Sequence, residues 1–301
     1  MTGRAPMAQL QPLPLPEIAW IDAQAPAGRW GQPGELTLPL ADRGLLLADG
    51  LFETVLVLEG RPRLLAEHLQ RWRTGAALLA MEPPPTAARV EPLIAEAISR
   101  SAITTGALRL NWSRGTPGAG GARGIAIPAG CRQRFWLQLS AASPCFAPAR
   151  VIVSPTETRS ATSLLSRAKT FAYGSAIQAR RQAEASGADD ALLASSAGGL
   201  CCATAANLLV RGGGGWLTPP LSSGCLPGVM RARALGLGLA REAPITEADL
   251  AASSGALLLN SLGCRPISHL AAKPLAWRGH GSSTADAARA PEAADLWNRL
   301  L

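Results

Sequence analysis

The stretch S-L-L-S-R-A-K-T-F-A-Y-G-S-A-I-Q-A-R-R-Q-A-E-A-S-G-A-D-D-A, Ser163 to Ala191, decides how the rest of the chain is read, and its centre is Lys169. A serine-rich loop runs into the lysine. Beyond it, apolar Phe171, Ile177 and Ala179 alternate with charged Arg180, Arg181 and Glu184, which predicts a helix. Gly187 marks its end. A lone lysine is ordinarily a solvated surface charge, so its meaning rests on the segments around it. Upstream stand A-D-R-G-L-L-L-A-D-G-L-F-E-T-V (Ala41 to Val55) and E-H-L-Q-R-W (Glu67 to Trp72). Downstream stand A-T-A-A-N-L-L-V (Ala203 to Val210), L-P-G-V-M-R (Leu226 to Arg231) and L-N-S-L-G-C-R-P-I (Leu259 to Ile267).

Composition narrows the class. At 301 residues, 48% of them hydrophobic, the chain can bury a sizeable core as one large domain or two medium ones. No apolar run approaches a membrane span. The net charge of +8 comes from scattered arginines, and aromatic residues make up only 4% of the chain. No basic run or stacking motif speaks for nucleic acid. The expected partner is therefore a small anionic molecule. The six cysteines show no C-x-x-C, and no metal-ligand spacing with the three histidines. Reduced thiols in the cytoplasm are expected, and no metal. The proline-rich start lacks the apolar core of a secretory signal. Residues 1–16 are read as a disordered tail, with Met7 an alternative start.

Taken in order, the pattern predicts two domains. Residues 17–143 read as a small α+β unit. Its strands lie at Ile18–Trp30, Leu51–Leu58, Ala107–Ser113 and Arg134–Ser140, and its helices at Glu67–Leu79 and Ala87–Ser101. Asp42-Arg43-Gly44 reads as a turn, and Ala141–Ala149, with two prolines, as a linker. Residues 150–301 read as a larger unit. It has strands at Arg150–Ser154, Ala191–Ala194, Asn207–Val210 and Ala256–Asn260, and a helix at Val229–Arg241. A final helix is expected over Glu292–Leu301.

The ordered set of five segments resembles the fold-type IV pyridoxal-phosphate enzymes: branched-chain and D-amino-acid aminotransferases and aminodeoxychorismate lyase. The resemblance covers Ile18 to Leu270. It implies an α/β, two-domain fold like that of the D-amino-acid aminotransferases, with a barrel-like sheet in the larger domain and pyridoxal 5'-phosphate between the domains. It also implies a homodimer. By the same resemblance Lys169 is the lysine that holds the cofactor covalently and then acts as general acid–base, and Arg71 in H-L-Q-R-W is its phosphate arginine. Chemistry agrees with both assignments. The cofactor needs a partly neutral amine, and a guanidinium grips phosphate with two parallel bonds, which a lysine cannot. Gly228, Val229 and Met230 open a helix whose first N–H groups suit an anion. Asn260 and Ser261 resemble the family's last phosphate contact.

The chain departs from the family at one position. Members carry a glutamate for the pyridine nitrogen five residues before the asparagine matched here by Asn207, and that count falls on Cys202. A thiol is a weaker acceptor than a carboxylate, so a proton on the ring is less favoured. Transamination relies on that proton, whereas a lyase whose product becomes aromatic does not. L-N-S-L, A-T-A-A-N and Val229-Met230-Arg231 are also nearer the lyase, and the resemblance places Arg109 and Arg123 at its substrate face, facing carboxylates. The expected activity is conversion of 4-amino-4-deoxychorismate to 4-aminobenzoate and pyruvate, in folate synthesis. The alternatives are an aminotransferase for branched-chain or D-amino acids, and a catalytically silent relative.

Overall fold

In the computed structural model, residues 16–22, 28–118, 124–277 and 285–301 are described, without the side chains of 285–288. The first sheet is built from β1 (Glu17–Ile21), β2 (Arg29–Gly31), β3 (Gly50–Leu58), β4 (Arg61–Pro62), β5 (Gly106–Thr116) and β6 (Arg132–Ala141). Its order is β2-β1-β6-β5-β3-β4, antiparallel throughout. Three helices accompany it: α1 (Arg43–Leu47), α2 (Leu65–Leu78) and α3 (Ala87–Ser101). The buried stripe of α2 is His68, Leu69, Trp72, Gly75 and Ala76, a helical repeat set against the sheet. Trp72 sits in the core with Leu51, Val55, Val57, Ile94 and Phe135. Truncating such a residue to alanine costs about 3–5 kcal/mol.

Strand alternation on β3 sets up the site. Leu51, Val55 and Val57 pack in the α2/α3 core, and Glu53 shares their face. The intervening Phe52 and Thr54 face the cavity described below. One face is therefore apolar except for a single buried acid, which must find its partners on α2.

The second sheet contains β7 (Ala149–Arg159), β8 (Asp190–Ser195), β9 (Leu200–Ala203), β10 (Asn207–Gly212), β11 (Gly215–Thr218), β12 (Ala240–Glu242), β13 (Ala256–Asn260), β14 (Gly263–Leu270) and β15 (Lys273–Pro274). Six of these close on themselves in the order β10-β13-β14-β7-β8-β9, with β9 paired back to β10. The closing rung joins Cys202 to Asn207. An antiparallel N-terminal sheet followed by a closed barrel is the arrangement that the resemblance implies. Closure removes the exposed edges that an open sheet would leave.

Around the barrel lie α4 (Gly174–Ala185), α5 (Val229–Gly236), α6 (Glu247–Ala252) and α7 (Ala285–Asn298). Helix α7 is tied to the end of β13 where Trp297 Nε1 donates to the Asn260 carbonyl at 3.0 Å. Among the described residues no helix is long and apolar enough to cross a membrane, and no group of His, Cys, Asp or Glu has metal-binding geometry. All six cysteines are unbonded.

Several elements differ from the sequence reading. Asp42-Arg43-Gly44 begins α1 rather than a turn, because Asp42 caps the helix by accepting from Gly44 N. The helix expected over Val229–Arg241 stops at Gly236. Gly238 then turns at φ +67, and Ala240–Glu242 becomes a strand pairing with β11. Ile177, expected on the buried face of α4, is 59% exposed, and Ala179 and Ala183 are buried instead. The last helix starts at Ala285, ahead of Glu292. Ala149, placed in the linker, already belongs to β7. The proposed tail, apart from Pro16, lies outside the described residues.

Candidate active site

A cavity of about 530 Å³ opens between the small sheet and the barrel, lined by residues of both. Its N-terminal wall carries Phe52, Thr54, Arg71 and Arg109, and the segment before α4 contributes Lys169 and Tyr173. Cys202 and Asn207 come from the barrel's closing rung, Gly228, Val229 and Met230 from the start of α5, and Asn260 and Ser261 from the end of β13. Segments more than 150 residues apart in sequence thus line one cavity, as when Arg71 Nη1 reaches the Pro227 carbonyl at 3.3 Å. Ten of the eleven residues singled out from sequence line this cavity. The eleventh, Arg123, lies outside the described residues.

Backbone pairing with β3 positions Lys169. Phe52 N donates to the Lys169 carbonyl at 2.9 Å, and Phe171 N donates to the Gly50 carbonyl at 3.0 Å. This close approach requires Gly50, where an added Cβ would meet the Phe171 ring at 2.2 Å. The half-buried Lys169 amine lies 4.2 Å from the Phe52 ring centre and donates to the Tyr173 hydroxyl at 3.0 Å.

At the other end of the cavity stands a charged network. Fully buried Glu53 accepts from Arg71 Nε at 2.8 Å and from Arg71 Nη2, and pairs with His68 Nδ1 at 2.7 Å. His68 and Arg71 are three residues apart on α2, so both face one strand residue. Burial raises the Glu53 carboxyl's pKa, but the Arg71 charge and the bonds from His68 and Arg71 outweigh it and hold the pKa at about 2. His68 Nε2 continues to Ser261 Oγ at 3.2 Å. Sequence reasoning missed Glu53 because an acid inside L-F-E-T-V-L-V-L reads as a solvent-facing position; only tertiary packing buries it.

Next to Arg71, α5 begins at Gly228 without any side-chain cap, so its first-turn N–H groups face the cavity. Gly228 permits a close approach, since a Cβ there would lie 2.0 Å from Asn207 Oδ1. Asn207 Nδ2 in turn holds the Leu226 carbonyl at 3.0 Å, fixing the turn into the helix. The uncapped helix start, Arg71 and the Ser261 hydroxyl together fit a phosphate.

Two more guanidiniums reach the cavity. Arg109 stacks on Phe52 with its Cζ 3.5 Å from the ring centre, and its Nε donates to Asn111 at 2.7 Å. Burial lowers its pKa, and Tyr173 partly opposes the shift. Arg159, which the sequence gave no reason to single out, ends β7 and donates to the Gly224 and Ser166 carbonyls at 3.3 Å each. It reaches the cavity only because the strand and the serine loop converge.

A family model described as Amino-transferase class IV matches residues 50–270. The chain belongs to this family. The family is pyridoxal-phosphate-dependent, and the amine at one end of the cavity with the anion site at the other fits that cofactor. Cys202, which the resemblance matches to the partner of the ring nitrogen, lines the barrel side of the cavity. A bifunctional aminodeoxychorismate lyase / D-amino acid transaminase of Mycobacterium tuberculosis is 40% identical over 90 residues, 29% of this chain and 31% of that protein. The match thus spans about a third of that relative's length. The structure of 4-amino-4-deoxychorismate lyase from Pseudomonas aeruginosa is similar, with a TM-score of 0.71 at 29% identity over 89% of this chain and 97% of that one. A hypothetical aminotransferase from Mycobacterium tuberculosis in its PLP-bound form shares the fold, with a TM-score of 0.75 at 23% identity over 94% and 98% of the two chains.

Proposed function

We propose that this class-IV enzyme holds pyridoxal 5'-phosphate in the cavity and converts 4-amino-4-deoxychorismate to 4-aminobenzoate and pyruvate. The reading is carried by one observation: the Lys169 amine shares its cavity with Arg109 and Arg159 in addition to Arg71 and the first residues of α5. A site with that much positive charge suits a cofactor phosphate together with a substrate bearing carboxylates. When bound, the cofactor supplies an aldehyde for an amine and a conjugated ring that accepts electrons.

The protein's own groups do the rest. Arg71, the α5 N–H groups and Ser261 would hold the phosphate. Lys169 Nζ, once free, takes the substrate ring proton and returns a proton to the departing fragment, while Tyr173 Oη orients it through their 3.0 Å bond. Arg109, kept rigid by Phe52 and Asn111, and Arg159 orient the carboxylates. Aromatisation of the product supplies driving force that the cofactor ring need not. We also infer that it works as a cytoplasmic homodimer, as the family resemblance implies; sedimentation tests the assembly.

Purified protein given 4-amino-4-deoxychorismate should release 4-aminobenzoate and pyruvate with no 2-oxoacid acceptor present. The second reading is aminotransfer to a 2-oxoacid, favoured by the transaminase activity in the name of the curated relative. Turnover of branched-chain or D-amino acids only with an acceptor would establish it in place of the lyase. A protein that stays colourless with added cofactor would instead be the silent relative.

A further inference from the structure

Among the described residues the cavity wall contains Arg71, Arg109, Arg159 and Lys169 but no aspartate, glutamate or histidine. This absence of acid does not depend on how a ligand is turned inside the cavity. Two acids bonded to lining residues, Glu53 to Arg71 and Asp190 to Thr204, are already committed. Glu53 lies on the far face of β3 and is held by Arg71 and His68. Asp190 is paired with Arg180 at 2.7 Å and accepts from Thr204 at 2.6 Å. Asn207 gives its amide to Leu226 and presses its oxygen against Gly228.

The wall beside Asn207 carries Cys202, Ala203, Ala205 and Ala206, with Thr204 between them giving its hydroxyl to Asp190. Cys202 is 7% exposed and packs with Cys201, Cys225, Leu193, Ala179 and Ala183. A protonated pyridine against such a wall would be a charge without a counter-ion in an apolar setting, with four cations nearby. A thiol suits the opposite state, because it can offer a weak S–H donor to a nitrogen lone pair.

We propose that this cavity keeps the ring nitrogen of bound pyridoxal phosphate unprotonated, with the Cys202 thiol standing where an acid would otherwise hold the proton. The proposal rests on the cofactor reading above. It makes Cys202 a determinant of reaction type, since an unprotonated ring is a poorer electron sink and favours a reaction whose product is stabilised outside the cofactor.

The test is the nitrogen-15 chemical shift of the ring in protein loaded with cofactor labelled at that atom, read at neutral pH. Wild-type protein and Cys202→Ala should both give the signal of an unprotonated pyridine, and Cys202→Glu should move it to that of a pyridinium. A pyridinium signal in the wild-type protein overturns this proposal and leaves the cofactor reading intact. So does an unchanged signal in Cys202→Glu protein that retains the cofactor. Wild-type protein that retains no cofactor overturns both. If Cys202→Glu does not fold, the wild-type and Cys202→Ala signals decide.

Discussion

Two regions behind the cavity wall solve opposite problems. In one, Glu53, Arg71, His68 and Ser261 form a continuous polar network in which the buried charge is paired and hydrogen-bonded on both sides. In the other, Cys202 lines the cavity and is backed by buried Cys201 and Cys225, with no charge among the three. The hydrogen bond with Cys202 pushes the Cys201 thiol up to about 12 and burial adds to it, while the bond with Cys201, then burial, raises Cys225. The first region is built to hold an anion, and the second to withhold charge from whatever ring lies against it. Affinity and reactivity are thereby assigned to different strands, and substitutions can separate them.

The largest effect is expected at the amine. Lys169→Ala should abolish borohydride-trapped cofactor, read by mass spectrometry, and cut turnover by about 10³-fold or more. At the charged end, Glu53→Gln leaves Arg71 and His68 without their acid. It should cost about 3 kcal/mol or more in denaturant unfolding, the loss expected when one partner of a buried pair is removed. The pH dependence has a definite sign. Because the folded-state value is about 2 against an ordinary 4.5, the Glu53 contribution is complete above about pH 4.5 and disappears as pH falls toward 2. In Glu53→Gln that acid-sensitive portion should vanish from the stability profile.

Arg71→Lys keeps the charge but loses the fork that grips Glu53 and aims the remaining nitrogen into the cavity, so cofactor affinity should fall roughly 10- to 100-fold in equilibrium dialysis. Gly228→Ala forces Asn207 Oδ1 aside and should cost about 1–3 kcal/mol of stability. If it costs nothing, the helix start is less constrained than its 2.0 Å clearance indicates. Ser261→Ala removes one hydroxyl from the network and should weaken cofactor binding by about 1 kcal/mol, the smallest change of the set.

Much of the site was legible in the sequence because its parts are local. H-L-Q-R-W puts His68 and Arg71 on one face of a helix, and P-G-V-M opens another helix with bare N–H groups. Glu53 and Arg159 were not legible, since each acquires its setting only through segments distant in sequence. Alternation found most strands but not β14, whose Pro266 argues locally against a strand even though it pairs with Leu257 across the barrel. Glycines misled the reading of α5. Gly236 and Gly238 look like interruptions of a long helix, and the chain instead turns there to supply an edge strand parallel to β11.

The two backbone bonds that join Phe52 to Lys169 and Phe171 to Gly50 have a mechanical consequence. The reactive amine is sewn to both halves of the molecule at once. A swing that parted the small sheet from the barrel would have to tear out the residue on which the chemistry depends, so traffic in and out of the cleft has to pass through its mouth while the hinge stays shut.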